Sequence, residues 1–412
     1  MAGPAAAADN SCAQMMPAHS SRPQAISFVN ARMGKAGLNS LRIVQPRIQS
    51  IGEGPAPGDL IVDLRGDRLL PGMINSHDHL QLNGFPRRKY RDRYDSAREW
   101  IADVEQHRDV DTELVACQSM PRRTRQFHGG LKNILSGVTT VAHHDPLYDD
   151  FFEIDYPVRV VRNLGWSHSL LIDGEDRVTS SYQRTPTEWP WIIHAAEGVD
   201  VESTQEVGRL DALGCLAANT LIVHGVGMDE CQQERLAAAG AGVIWCPSSN
   251  LHLFGATLNV ARLAAQGRVA LGTDSRMTGG RDLLAELCMA RGCCTLSDDA
   301  LESMVTEVAA RLLRLGDRGT LAPGMLADVL ILPGSTPLHK ASRADIRLVM
   351  VNGEARIGDA RYVRLLAPAA HSVQIELDSC PKLLNRGLAT QLAELTIREP
   401  GMELCATSWR AA

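Results

Sequence analysis

Between Leu69 and Asp274 the chain alternates short, almost purely apolar runs with longer amphipathic stretches. The runs LLPGMINS, VTTVAHH, VRVVRNL, WIIHAA, NTLIVHG, GVIWCP and VALGTD each read as a strand. Aliphatic residues with no polar alternation suit strands that are buried on both faces. A polar or histidine-bearing turn closes each run. Strand followed by helical stretch, repeated over roughly 200 residues, predicts parallel βα units closed into a barrel. The expected fold class is therefore α/β, with a (β/α)8 barrel over residues 71–318.

Both ends of the chain break this pattern. From Ala25 to Leu70 the segments AISFV, LRIV, RIQSIG and LIVDL alternate with Gly, Pro and Asn, as in a small antiparallel sheet. Short strands return in GTLAPGMLADVLILPG from Gly319 and IRLVMVNGEARIG from Ile346, where Asn352-Gly353 is a hairpin-turn dipeptide. Residues 1–24 read as a flexible tail. Residues 359–412 read as a C-terminal extension, helical in LLNRGLATQLAELTI. Ser297 to Leu315 reads as one helix with a serine cap and two aspartates at its positive end.

Composition excludes several classes. Hydrophobic residues make up 44% and charged residues 22%, as in ordinary globular proteins. A net charge of −6 gives no reason to expect a nucleic-acid partner. No apolar run approaches the ~20 residues of a membrane span, and the N-terminus lacks the charged and apolar regions of a secretory signal. The ten cysteines show no CxxC spacing and read as reduced thiols. The expected protein is cytoplasmic and homo-oligomeric, with a small-molecule substrate and neither nucleic acid nor membrane as partner.

The candidate chemistry sits at the strand ends. His77 and His79 flank Asp78 directly after LLPGMINS, and residues two apart on a strand point to the same side. His194 ends WIIH, His224 ends TLIVH, and Asp274 ends VALGTD. In a parallel barrel all these ends open on one face. Neutral imidazoles with a carboxylate suit zinc first, then iron or manganese, and not calcium or magnesium. Glu197 lies three residues past His194, where a carboxylate can overhang a metal without binding it and shuttle protons.

In their order, LLPGMINSHDH, WIIHAAEG, LIVHGVG, VIWCPSSNLHLFG and LGTDSRMTGGRDLLAEL resemble the amidohydrolase superfamily, in its cytosine deaminase, guanine deaminase and triazine hydrolase branch. The match runs from Ala25 to Gly358. The resemblance implies that His77, His79, His194 and Asp274 hold one divalent metal, and that His224 contacts the water or the oxyanion. It makes Glu197 the proton relay, and CPSSN, Cys246 to Asn250, part of the pocket. It also implies that residues 25–70 and 319–358 form a composite β-sandwich. Two-metal members resemble this chain but add a lysine after the fourth strand, and Lys132 lies ahead of the second strand. That favours one metal. No fourth-strand segment of the family's kind is found, so the barrel is expected to be abbreviated around strands 3 and 4.

The expected reaction is hydrolysis at a trigonal carbon bonded to nitrogen, by metal-activated water. Deamination of an amino-substituted heterocycle comes first; cleavage of a cyclic or linear amide, or displacement of chloride, is the alternative. A non-catalytic metal-binding protein would have lost a proton-transfer residue, and none is lost here. Of His143 and His144, neighbours on one strand, one can face the pocket. The basic run Arg87 to Arg93 offers a site for an anionic substrate group, although interleaved Asp92 and Asp95 favour a self-paired loop.

Overall fold

The computed structural model describes residues 25–34 and 37–405; the expected tail, 1–24, lies outside them. Eight parallel strands follow one another along the chain: β1 (Met73–Asp78), β2 (Val138–His143), β3 (Arg159–Val160), β4 (Gly165–Ser169), β5 (Trp191–Ala195), β6 (Thr220–His224), β7 (Gly242–Trp245) and β8 (Val269–Leu271). The first three form one sheet and the last five another. Beyond β8, the amides of Thr273 and Asp274 both donate to the His77 carbonyl, at 3.0 and 3.1 Å, which ties the last strand to the first.

Alternation sorts the strand side chains. Met73, Val138, Trp191, Ile193, Ile222, Val243 and Val269 pack with the helices, whereas Ile74, Ile192, Leu221, Val223, Ile244 and Ala270 form a separate cluster. Ala309, Leu312 and Leu313 join that second cluster. Fully buried strands on two apolar sides are what the uninterrupted runs require.

Eleven further strands, drawn from both chain ends, make one sheet. Its central join is Val329–Leu332 against Arg68–Pro71, antiparallel, with Leu330 opposite Leu70. Ser372–Leu377, Cys380–Asn385 and Met402–Leu404 extend the sheet, so the C-terminal extension mixes these strands with helices at Ala360–Leu366 and Arg386–Ala393. No helix among the described residues is long and apolar enough to cross a membrane.

Two sequence expectations need correction. The stretch 297–315 is two helices, Asp298–Ser303 and Glu307–Leu312, broken at Thr306, whose φ of −133° and ψ of −103° leave the helical region. The VRVVRNL run contributes only the two residues of β3, and a fourth strand does exist, as GWSHS. Residues 161–164 join them without a crossover helix. The shortening around the third and fourth strands therefore falls on a helix and on the length of β3.

Candidate active site

His77, His79, Asp145, His194, His224 and Asp274 converge beyond the C-terminal ends of the parallel strands. The His194 Nε2 lies 3.3 Å from the Nε2 of His77 and 3.3 Å from that of His79. Asp274 Oδ1 is 3.6 Å from His77 Nε2 and 3.7 Å from His79 Nε2. Bonds of about 2.0–2.1 Å to a tetrahedral ion separate donor atoms by about 3.3–3.4 Å, so His194 has the spacing of a ligand set with His77 and His79, and Asp274 stands slightly farther out.

Their surroundings fix which nitrogen carries the lone pair. His79 Nδ1 donates to Asp145 Oδ2 at 2.7 Å, and His194 Nδ1 to the His168 carbonyl at 2.8 Å. His194 then presents a bare Nε2, and His79 does so once its ring is neutral, the form a metal requires. Asp274 directs its Oδ2 to the hydroxyls of Ser249 and Thr278, at 2.8 and 2.7 Å, and leaves Oδ1 for the cluster. Burial lowers His77 to about 4 and lowers His194 as well, so both rings are neutral. Burial also acts downward on His79, but the charges of Asp145 and Asp274 outweigh it and raise it to about 9. Burial pushes Asp274 upward, and the hydrogen bond and charges of the histidines more than reverse this, holding it well below the carboxylate range.

The backbone is bent to serve this centre. Ala196, His224 and Asp274 have φ of 50°, 74° and 54°, in the left-handed region that costs a non-glycine residue about 1–2 kcal/mol. The use is clearest at His224. Leu221 and Val223 face one cluster and Ile222 the other, so strict alternation would send His224 out with Ile222. The left-handed turn brings the ring back, to 3.4 Å between Nε2 and Glu197 Oε1. His224 Nδ1 donates to Asn250 Oδ1 at 2.8 Å, whose orientation is set by Asn250 Nδ2 donating to Thr257. Nε2 therefore carries a lone pair toward Glu197, a carboxyl that burial raises above its usual value. Both line a cavity of about 260 Å³ together with His79, His194 and Asp274.

The sequence left open which of His143 and His144 faces the pocket, and it did not single out Asp145. His144, not His143, joins the cluster: its possible ligand atom and those of His77, His79 and His194 all lie within 4.8 Å of one another. Its Nε2 donates to the Ser167 carbonyl at 2.8 Å and its buried Nδ1 has no partner. His143 turns away, onto Phe151. Asp145 follows His144 directly in the chain, and that adjacency was its only signal.

Beneath the cluster, fully buried Lys132 reaches Asp78 Oδ2 at 3.0 Å, Asn83 Oδ1 at 2.7 Å and Thr273 Oγ1 at 3.1 Å. It clips the HDH turn to the residue before Asp274. The next loop is anchored from far along the chain: Arg276 pairs through both terminal nitrogens with Glu399, at 2.8 Å each. Glu399 is 2% exposed and also meets Arg343 at 2.6 Å and His128 at 3.1 Å.

The basic run is consumed locally. Arg88 pairs with Asp111 and Glu113, Arg91 with Asp103, and Arg93 with Asp95. Arg87 donates to the carbonyls of Thr278 and Ser248 at 3.0 Å each, bracing backbone on either side of Asp274. None of residues 87–93 lines the cavity.

The family model of the amidohydrolase family matches residues 190–356, which carry His194, Glu197, His224 and Asp274. That stretch of the chain has the pattern of the amidohydrolase family. The chain is 25% identical to a 5'-deoxyadenosine deaminase of Methanothermobacter thermautotrophicus, over 80% of the chain and 93% of the relative. Among solved structures it resembles an adenosine deaminase of Xanthomonas campestris with bound zinc, at 16% identity and TM-score 0.65, covering 84% of this chain and 94% of that one. It also resembles a triazine hydrolase of Arthrobacter aurescens, at 17% identity and TM-score 0.69, covering 90% and 99%. The protein is an enzyme of the hydrolase class, and its histidine cluster fits the divalent metal that the matched family uses.

Proposed function

We propose that the chain is an aminohydrolase that deaminates an amino-substituted nitrogen heterocycle. One divalent ion, zinc first, would be held by His77, His79, His194 and Asp274. In this reading residues 71–318 form a closed (β/α)8 barrel, flanked by a β-sandwich from 25–70 and 319–358. The observation that carries the proposal is the His224–Glu197 pair at 3.4 Å, facing the cavity that the metal-type donors also line.

An ion in that position supplies Lewis acidity and makes water a better nucleophile at neutral pH. The protein groups handle the protons. Asp274 Oδ1 and the lone pair of His224 Nε2 are placed to take a proton from water as its oxygen bonds to the ring carbon. His224, then an imidazolium, faces the oxygen on which negative charge develops. Glu197, kept protonated more readily by burial, delivers a proton to the departing nitrogen. The C–N bond breaks, ammonia leaves, and the ring keeps a carbonyl oxygen derived from water. Similarity to nucleoside deaminases over most of both chains supports ammonia as the leaving group. A fold neighbour described as an atrazine chlorohydrolase keeps chloride displacement as an alternative, beside cleavage of a cyclic or linear amide at the same site.

The test is product analysis on the metal-loaded protein, with purines, pyrimidines and triazines assayed for ammonia, halide and new carboxylate. Glu197→Gln is expected to retain one ion per chain and lose about 100-fold or more in kcat, the scale of a general acid. Loss of metal in parallel with activity would contradict the assigned role.

A further inference from the structure

The cavity beside the histidines is lopsided in charge. Five carboxyl side chains line it, Asp145, Glu197, Glu202, Glu206 and Asp274, against one guanidinium, that of Arg98. Arg98 is already spent, with one terminal nitrogen on Glu202 and the other on Asp200 at 3.0 Å. The basic run that could have answered an anion is likewise paired, Arg88 with Asp111 and Arg91 with Asp103, and does not line the cavity.

Uncommitted polar atoms in the same wall are acceptors or hydroxyls. Gln81 gives its amide nitrogen to Asp145 at 2.6 Å, which fixes the amide orientation, and its buried Oε1 has no partner. Ser96 occupies the N-cap of helix Ala97–His107, a position where serine ordinarily accepts a backbone N–H. It makes no such bond; it is 3% exposed, and its Oγ is unpartnered. Glu206 accepts from the Ala196 amide at 2.7 Å through Oε2, and that is its one hydrogen bond. A buried acceptor without a donor costs free energy that a ligand N–H recovers, and a site built this way rejects ligands lacking the matching group. The outer wall is apolar: Trp100 and Ile101 line it, with Leu171 and Ile172, which are 46% and 50% exposed.

We propose that the pocket takes an uncharged or cationic amino heterocycle, with its N–H groups toward Gln81, Ser96 and Glu206 and an apolar substituent toward Leu171 and Ile172. Analogues bearing a carboxylate or phosphate are rejected. This rests on the deaminase reading and adds to it the charge and hydrogen-bonding polarity of the substrate. Discrimination arises because, away from the metal position, an entering anion finds carboxylates and no unpaired guanidinium or ammonium in the wall, whereas an N–H edge finds three acceptors there.

The experiment measures ammonia release by the metal-loaded protein from matched pairs: adenosine and adenosine 5'-phosphate, cytosine and 5-carboxycytosine, melamine and its N-carboxymethyl derivative. Wherever a pair reacts, the uncharged member is expected to have at least a tenfold higher kcat/KM. Glu202→Gln, at the exposed rim, removes one acid and frees one arm of Arg98, and should lower that preference at least fivefold with metal content unchanged. Ser96→Ala should raise KM for the uncharged substrate severalfold while kcat stays within about twofold. Equal or better turnover of the anionic members, or a preference that Glu202→Gln leaves unchanged, overturns the proposal while the deaminase reading stands. Metal-loaded protein that releases ammonia from no pair overturns the deaminase reading, and the proposal with it.

Discussion

Replacing Lys132 by methionine removes a charge from under the catalytic centre while nearly keeping its volume. Lys132 and Asp78 side chains are both 0% exposed and meet at 3.0 Å, so the variant leaves a carboxylate in the core without its cation. Breaking a buried pair on one side costs about 3–5 kcal/mol. The lower end applies here, because Asp78 also receives the amide nitrogens of Asn133 at 2.8 Å, Asn83 at 2.7 Å and Asn75 at 3.1 Å. Lys132→Met should therefore lose about 3 kcal/mol in equilibrium urea unfolding, a large share of the ~5–15 kcal/mol typical of a folded domain. Asp78→Asn combined with Lys132→Met should lose at least about 2 kcal/mol less than the two single losses added together, since one surviving charge is never left alone. Asp78 lies between two of the proposed ligands, so the single variant should also bind metal more weakly. A loss under about 1 kcal/mol, or single losses that simply add, would refute the view that this pair holds the HDH turn.

Two further outcomes are expected. Asp145→Asn leaves His79 without its charged partner at 2.7 Å, and metal affinity should fall about 10–100-fold in competition with a chelator while the fold is retained. Glu286 is buried, with Oε1 on the Ser248 amide and Oε2 unpartnered, and burial raises it to about 7. An acid raised in the folded state is bound to its proton more tightly there than in the unfolded chain. Its contribution therefore favours folding at low pH, fades as pH climbs from 4.5 toward 7, and above 7 is a penalty of up to roughly 3 kcal/mol. Glu286→Gln should gain stability relative to the parent on going from pH 5 to pH 8, read from urea midpoints; an equal difference at both pH values would contradict this.

What could be read from the chain divides by the range of the signal. His77, His79, His194, His224 and Asp274 were legible because each follows an apolar run, and strand ends of a parallel sheet share a face. The fourth strand was not, because GWSHS holds two serines, a histidine and a glycine, and is a strand through its pairing with β5. The break at Thr306 interrupts a stretch whose apolar spacing continues across it. Pairing of Arg88 and Arg91 depends on helices that begin later in the chain, so Asp92 and Asp95 hinted at self-pairing while the actual partners are Asp111, Glu113 and Asp103. Gln81, Ser96 and Glu206 carry no motif at all; they become a group only where tertiary structure brings them to one cavity.

The anchoring of Arg276 by Glu399 also bears on how the enzyme is made. The two residues are 123 positions apart, so a ribosome completes the loop beside Asp274 long before it supplies the carboxylate that braces it. A nascent chain that already displays every proposed ligand is thus a loosely fastened one. Vectorial synthesis leaves this loop unbraced until the segment carrying Glu399 has emerged. A fusion partner or truncation placed near residue 399 would act on the catalytic centre from 123 positions away along the chain.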